Sequence, residues 1–234
     1  MPCGAWRRAA TRAPTGARPE LAPSPARPYA AAMARKRLTS VERRAQIADA
    51  AARVMVARGV HAFRLRDVAG EAGVSQPLVS AHFADREALI LAAFETSDER
   101  AYDLIVRYAR SARNGRERLV ACVLGCLRLD PEIVEGWDLW HQLWTLGRYS
   151  PGIFEHVRAR QHRWVDLAAR TVQEGQADGS VCDEVDPARS GVLLMTLIDG
   201  VAPALRAGLF DVGTAREIVS EAIERTLRGT PALI

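Results

Sequence analysis

The chain has 234 residues, is 48% hydrophobic and 26% charged, and carries a formal net charge of +4. Those totals suit a globular protein with a sizeable core, long enough for a small domain fused to a larger one. They argue against three classes. No run approaches the roughly 20 apolar residues of a membrane span. Pro and Arg break up any apolar stretch that a secretory signal would need near the N-terminus. Cys3, Cys122, Cys126 and Cys182 form no CxxC pair and no His-rich metal spacing.

The charge is unevenly placed. Residues 1–37 hold eight Lys and Arg against Glu20 alone; removing that +7 from the total of +4 leaves −3 for the rest. A basic arm beside a folded domain points to nucleic acid, a solvated tail being the plainer reading. Its Ala, Arg and Pro content predicts disorder. Met33 begins Met33-Ala-Arg-Lys-Arg just ahead of the first periodic segment. We therefore expect translation to start there and residues 1–32 to be an extension, a genuine disordered arm being the rival. The cysteines read as reduced thiols of a cytoplasmic protein, with Cys122 and Cys126 as packed small hydrophobes. No metal and no cofactor is expected.

From residue 38 the punctuation predicts about nine helices, near 40–58, 65–72, 76–82, 86–111, 115–129, 131–148, 151–176, 187–208 and 214–228. Thr39-x-x-Glu42 and Thr214-x-x-Glu217 are capping boxes, and Asn114-x-x-Glu117 is a close relative. Asp130-Pro131, Ser150-Pro151 and Asp186-Pro187 each put an N-cap before a Pro at the first helical position. No segment alternates with period two, so the fold class is all-α.

The first helix places Ile47, Ala51, Val54 and Met55 on one face, and Gly59 stops it. Leu65, Val68 and Ala69 give the next short helix its apolar face. Gly73 supplies a sharp turn, Val74 plugs the corner, and Val79 and Phe83 pin the following helix. Two short helices joined by a Gly-containing turn define a helix-turn-helix. Its second helix offers Gln76, Pro77, Leu78, Ser80, Ala81 and His82 outward, where a helix in the major groove reads base edges. Pro77 lacks an N–H, so the Ser75 hydroxyl could cap only through Leu78 N–H. Leu78 suits a thymine methyl, core packing being its rival.

Residues 43–92 resemble the N-terminal domain of the tetracycline-repressor (TetR) family. The likeness is carried by Arg44-x-x-Ile47-x-x-Ala50-Ala51, Gly59, Arg66-Asp67-Val68-Ala69-x-x-Ala72-Gly73-Val74-Ser75, Phe83 and Arg86-Glu87-Ala88-Leu89. Leu197-Ile198-Asp199-Gly200 is similar to the branch that contains the repressor of choline-to-betaine genes. Beyond the basic extension over 1–37, the resemblance implies a three-helix DNA-binding domain over 38–85 and a helical regulatory and dimerisation domain over 86–230. It implies phosphate contacts from Arg64 and from Arg86, which stands where the family has Lys. Lys36 and Arg37, just before the first helix, could follow the backbone or minor groove, and His82 could touch phosphate or base. Arg64 replaces the family's capping Thr. Leu78 and Ser80-Ala81-His82 replace more polar and aromatic residues, so the reading face is unusually apolar.

In the second domain, Ile133, Trp137, Trp140 and Trp144 share one helical face, with His141 beside it. That wall reads either as a small-molecule pocket with His141 as polar anchor, or as core or interface. A cation would suit the Trp faces. Asp199 is odd in an apolar run and reads as a ligand contact or a structural hydrogen bond. Gly191, Leu194, Ile198, Val201 and Leu205, with Val219, Ala222 and Ile223, have the pattern of the family's dimer helices. There is no phosphate loop, no HExxH and no nucleophile elbow, so an enzyme is not expected. The expectation is a homodimeric, effector-responsive repressor of double-stranded DNA. The alternative is an all-helical interaction or sensing protein whose helix-turn-helix does not bind DNA specifically.

Overall fold

The computed structural model describes residues 38–228. The basic extension, with Lys36, Arg37 and Met33, lies outside the described residues. Among them are nine α-helices and no strand: α1 (Ser40–Arg58), α2 (Leu65–Ala72), α3 (Gln76–His82), α4 (Arg86–Tyr108), α5 (Gly115–Gly125), α6 (Pro131–Gly147), α7 (Pro151–Ala177), α8 (Pro187–Arg206) and α9 (Val212–Leu227).

The helix starts follow the capping chemistry. Thr39 and Glu42 form the reciprocal box, with Thr39 N–H donating to Glu42 Oε2 (2.7 Å) and Glu42 N–H to Thr39 Oγ1 (3.2 Å). Asp85, Asn114 and Asp186 accept from backbone N–H groups of the first turns of α4, α5 and α8. Two expectations are corrected. Thr214 does not cap the last helix; Asp211 does, accepting from Thr214 N–H at 2.8 Å, so α9 starts earlier. Asp130 makes no capping bond, because its carboxylate takes Tyr108 Oη–H (2.8 Å) and Arg128 Nε–H (2.7 Å) instead.

The helices close over two cores. One joins Ile47, Met55, Phe63, Val68, Val79 and Phe83 to Leu89 and Phe94 of α4 and to Leu139, Trp140 and Ile153. The other joins Ile105, Leu119, Val123, Val172, Leu194, Ile198, Val219 and Ile223. Trp137 and Trp164 pack against both. Helix α4 runs through the two, so the small N-terminal helices are built onto the larger body.

Helix α8 corrects the expectation about membrane spans: by length and composition it is apolar enough to cross one. Its Leu194, Met195, Ile198 and Val201 are buried in the second core, however. Gly191 also presses α8 onto α7, where a Cβ would sit 2.6 Å from Val165 O. It is a core helix.

Candidate nucleic-acid interface and ligand pocket

Helix α1 holds the ends of both reading helices. Gln46 Nε2–H donates to Ala72 O at the end of α2 (2.8 Å), and Arg44 Nη1–H to His82 O at the end of α3 (2.5 Å). The Arg44 guanidinium also lies over the Phe83 ring, 4.2 Å from its centroid. A donor, and above all a cation, at C-terminal carbonyls satisfies orphan acceptors and the helix dipole together. Between the helices, Val74 N–H reaches Ala69 O (2.9 Å) and Gly73 N–H reaches Gly70 O (3.2 Å), a Schellman turn. Gly73 sits at φ 64°, where a side chain would be strained.

With its backbone so held, α3 leaves its outer side chains unspent. Ser75, Gln76, Pro77, Ser80 and Ala81 are exposed, Leu78 is 36% exposed, and Val79 alone points into the core. The Ser75 hydroxyl does not cap through Leu78 as expected; the Ser75 carbonyl already accepts that N–H at 3.1 Å. His82 is half-buried. Arg64 is exposed and its N–H donates to Asp67 Oδ2 (3.1 Å); a guanidinium has no acceptor, so its side chain cannot cap.

Arg86 has a structural duty that the sequence did not reveal. Its guanidinium donates to the carbonyls of Phe63 (2.9 Å), Val60 (2.6 Å) and His61 (3.2 Å) and lies 3.9 Å over the Phe63 ring. It therefore staples the loop between α1 and α2. The same loop is held from α6, where Gln142 Oε1 accepts Val60 N–H at 2.7 Å. Arg100 of α4 ties α1 to α6 as well, pairing with both Asp49 and Glu135, while Ser97 Oγ–H donates to Glu135 at 2.9 Å.

Where the two cores meet there is a small, partly open cavity of about 50 Å³, lined by Trp137 and Trp140 of α6, Trp164 and Gln161 of α7, Asp98 of α4 and Asp199 of α8. Two indole N–H groups are already used: Trp137 donates to Cys126 O (2.9 Å) and Trp164 to Asp98 Oδ1 (2.8 Å). What these rings offer a guest is their faces. The two carboxylates differ. Asp98 is 5% exposed and accepts Arg160 Nε–H at 2.5 Å, and Arg160 also reaches Glu99 (2.8 Å). Among the described residues Asp199 meets only a neutral partner, Gln161 Nε2–H, at 2.7 Å. Burial pushes the Asp199 carboxyl up to about 6, with the Gln161 bond working against that shift. An apolar cavity with aromatic faces and one carboxylate lacking a countercharge is chemistry for an organic cation.

Of the expected ligand residues, Trp137, Trp140 and Asp199 line this cavity; His141 and Trp144 do not. His141 stacks on Trp137 (centroids 5.4 Å apart) without lining the cavity, and burial lowers its pKa. Trp144, one turn beyond Trp140, is 53% exposed. The sequence reading missed Asp98, Gln161, Trp164 and Cys126. A signal existed for Asp98, a carboxylate in the apolar stripe of Ile90, Phe94, Ala101 and Ile105.

The expected dimer face is corrected too. Gly191, Leu194, Ile198, Val201, Val219 and Ile223 are buried within this chain, so they offer nothing to a second copy. Leu205 and Ala222 are half-buried. The large apolar side chains that α8 and α9 leave exposed are Val192, Leu193, Val212 and Ile218.

Comparison with known proteins agrees with this geometry. Residues 47–93 match the family of bacterial regulatory proteins called tetR, and residues 115–228 match the C-terminal domain of BetI-type transcriptional repressors. The transcriptional activator FasR of Mycolicibacterium smegmatis is 36% identical over 87 residues, 37% of this chain and 40% of that protein. The regulator BetI of Rhizobium meliloti is 33% identical over 98 residues, 41% of this chain and 48% of that protein. The chain thus matches only about half the length of these curated relatives. A crystal structure described as a TetR-family regulator of Rhodococcus sp. superposes with a TM-score of 0.73 at 28% identity, covering 80% of this chain and 99% of that one. A transcriptional regulator of Saccharomonospora viridis, solved with choline, gives 0.71 at 28% identity, covering 80% and 98%. These relatives are regulators rather than enzymes, and the chain belongs to the tetR family of bacterial regulatory proteins.

Proposed function

We propose that the chain is an effector-responsive transcriptional repressor that binds a pseudo-palindromic DNA site as a homodimer, in the cytoplasm. The observation that carries this is α3, a rigidly held short helix whose outer side chains have no structural work. In this reading Gln76, Leu78 and Ser80 face base edges, while Ser75, Arg64 and His82 face phosphates. Lys36 and Arg37 would add backbone or minor-groove contacts. Arg86 keeps its loop-stapling bonds and reaches phosphate only with the N–H groups left over. The second copy would pack on the outward sides of α8 and α9, at Val192, Leu193 and Ile218.

The effector in this reading is a small organic cation held by Trp137, Trp140 and Trp164 with Asp199 as counter-ion; the choline complex of the Saccharomonospora viridis regulator supports that class. Its arrival against α6 would be felt at the Gln142–Val60 bond and at the Arg100 bridge, biasing the spacing of the two reading helices. The test is genome-wide binding-site selection with the purified full chain, followed by titration of the selected site with salt and with choline. A palindromic site, affinity falling steeply with salt, and release by the cation are expected. Salt-independent or sequence-blind binding would leave the helix-turn-helix as an interaction module and sink the proposal.

A further inference from the structure

Two cavities lie along the seam between α6 and α7, and they share a side chain. The outer one is a surface groove of about 250 Å³. Helix α6 gives Trp137 and Trp140 to the inner cavity, then Leu143 and Trp144 to the groove. Helix α7 gives Trp164 to the inner cavity, then Val157 and Phe154 to the groove. Gln161 lines both. The rings of Trp140 and Trp144, with centroids 6.2 Å apart, continue one aromatic surface from inside to outside. Trp144 and Phe154 are 53% and 51% exposed, an apolar pair that the chain's own packing leaves uncovered.

We infer that this groove is the outer half of the effector site and takes an uncharged apolar tail carried by the organic cation of the inner cavity. The inference rests on the cation reading proposed above. Three observations carry it. First, the cavities meet at Gln161, whose bond to Asp199 is a neutral amide donating to a carboxylate. Swinging that amide aside costs one hydrogen bond and breaks no ion pair, and the carboxylate then faces the cation. Second, beside the shared Gln161 the groove's polar residues are Arg148, Arg158 and His162, with no carboxylate among them, so it is no second cation box. Third, the seven helical steps from Trp137 to Trp144 span roughly 10 Å, the reach of an alkyl chain of about eight carbons.

The test is calorimetric titration of the full chain with alkyltrimethylammonium ions, from tetramethylammonium to the octyl compound, each below its micelle-forming concentration. Affinity should rise about fourfold per added methylene, the value of burying one CH₂. The gain per methylene should at least halve in Trp144→Ser and in Phe154→Ser. Both positions are surface-exposed, and far-UV circular dichroism checks that the variants stay folded. Affinity that is flat or falls with chain length in the native protein overturns the inference while leaving the cation pocket standing. So does a gain per methylene that both variants keep. If no member of the series binds, the cation reading itself fails and takes this inference with it.

Discussion

The reading helix and the ligand cavity treat polar groups in opposite ways. On α3 the backbone is secured from outside, by Arg44, and the outward side chains are left free. In the cavity most polar side chains are already bonded, and of its two carboxylates Asp98 has a charged partner while Asp199 has a neutral one. A surface for a polar polymer is made by leaving donors and acceptors unused over a rigid frame. A pocket for a small cation is made by using nearly all of them, so that one remaining charge acts in a dry setting.

The two cavity carboxylates give the sharpest way to break this contrast. Asp98→Ala should destabilise the fold by about 1–3 kcal/mol, because the Trp164 indole N–H loses its acceptor and Arg160 keeps only the more exposed Glu99, and a denaturant midpoint reads it. Asp199→Asn should leave the midpoint at pH 8 equal or higher and abolish most cation binding. Equal losses of stability from both would erase the distinction.

The next effect is on pH. Asp199 has a folded pKa of about 6, raised above its ordinary 3.8. Its ionisation therefore opposes folding: this contribution to stability is fully present below the unfolded value and is lost as pH rises through about 6. Cation affinity runs the other way, since only the carboxylate attracts it, and should drop about tenfold between pH 8 and pH 5. Calorimetry should find proton release on binding near pH 6 and none at pH 8. A flat affinity profile would show that Asp199 is not the counter-ion.

Smaller effects test the link between the regions and the reading face itself. Gln142→Leu removes the acceptor of Val60 N–H, and should shrink the ratio of DNA affinities without and with cation more than it shifts either alone. Ser75→Ala should weaken binding to all sequences by a small, similar factor and leave the melting temperature unchanged. A hydroxyl that capped α3 would instead cost about 1 kcal/mol of stability. Leu78→Ala should cost about 1 kcal/mol at a single base position.

Helix order, boundaries and the helix-turn-helix were legible because they rest on local chemistry: caps at Thr39, Asp85 and Asp186, the left-handed Gly73, and the stripe from Ile47 to Met55. The cavity was legible only where one helix carried the signal. Trp137 and Trp140 stood out in α6, but Asp98, Gln161 and Trp164 come from two other helices, and their meeting is a tertiary event. Trp144 follows Trp140 at helical spacing yet lies 53% exposed, because the buried face of α6 continues through Leu143 and Gly147 instead. In α8 and α9 the spacing gave a face without saying which neighbour covers it, so Leu194 and Ile223 were assigned to a partner when α7 and α5 were nearer.

The loop between α1 and α2 has a consequence for how such proteins diverge. It is completed from beyond residue 85: Arg86 fills the carbonyls of Val60, His61 and Phe63, and Gln142 fills the amide of Val60. A recombination event that exchanged only residues 38–85 between two paralogues would leave those groups without partners in the hybrid. Heads of this kind are thus poor units of shuffling. New specificity is more readily reached by point changes on the outward side of α3, whose exposed side chains carry no bond to the other described residues.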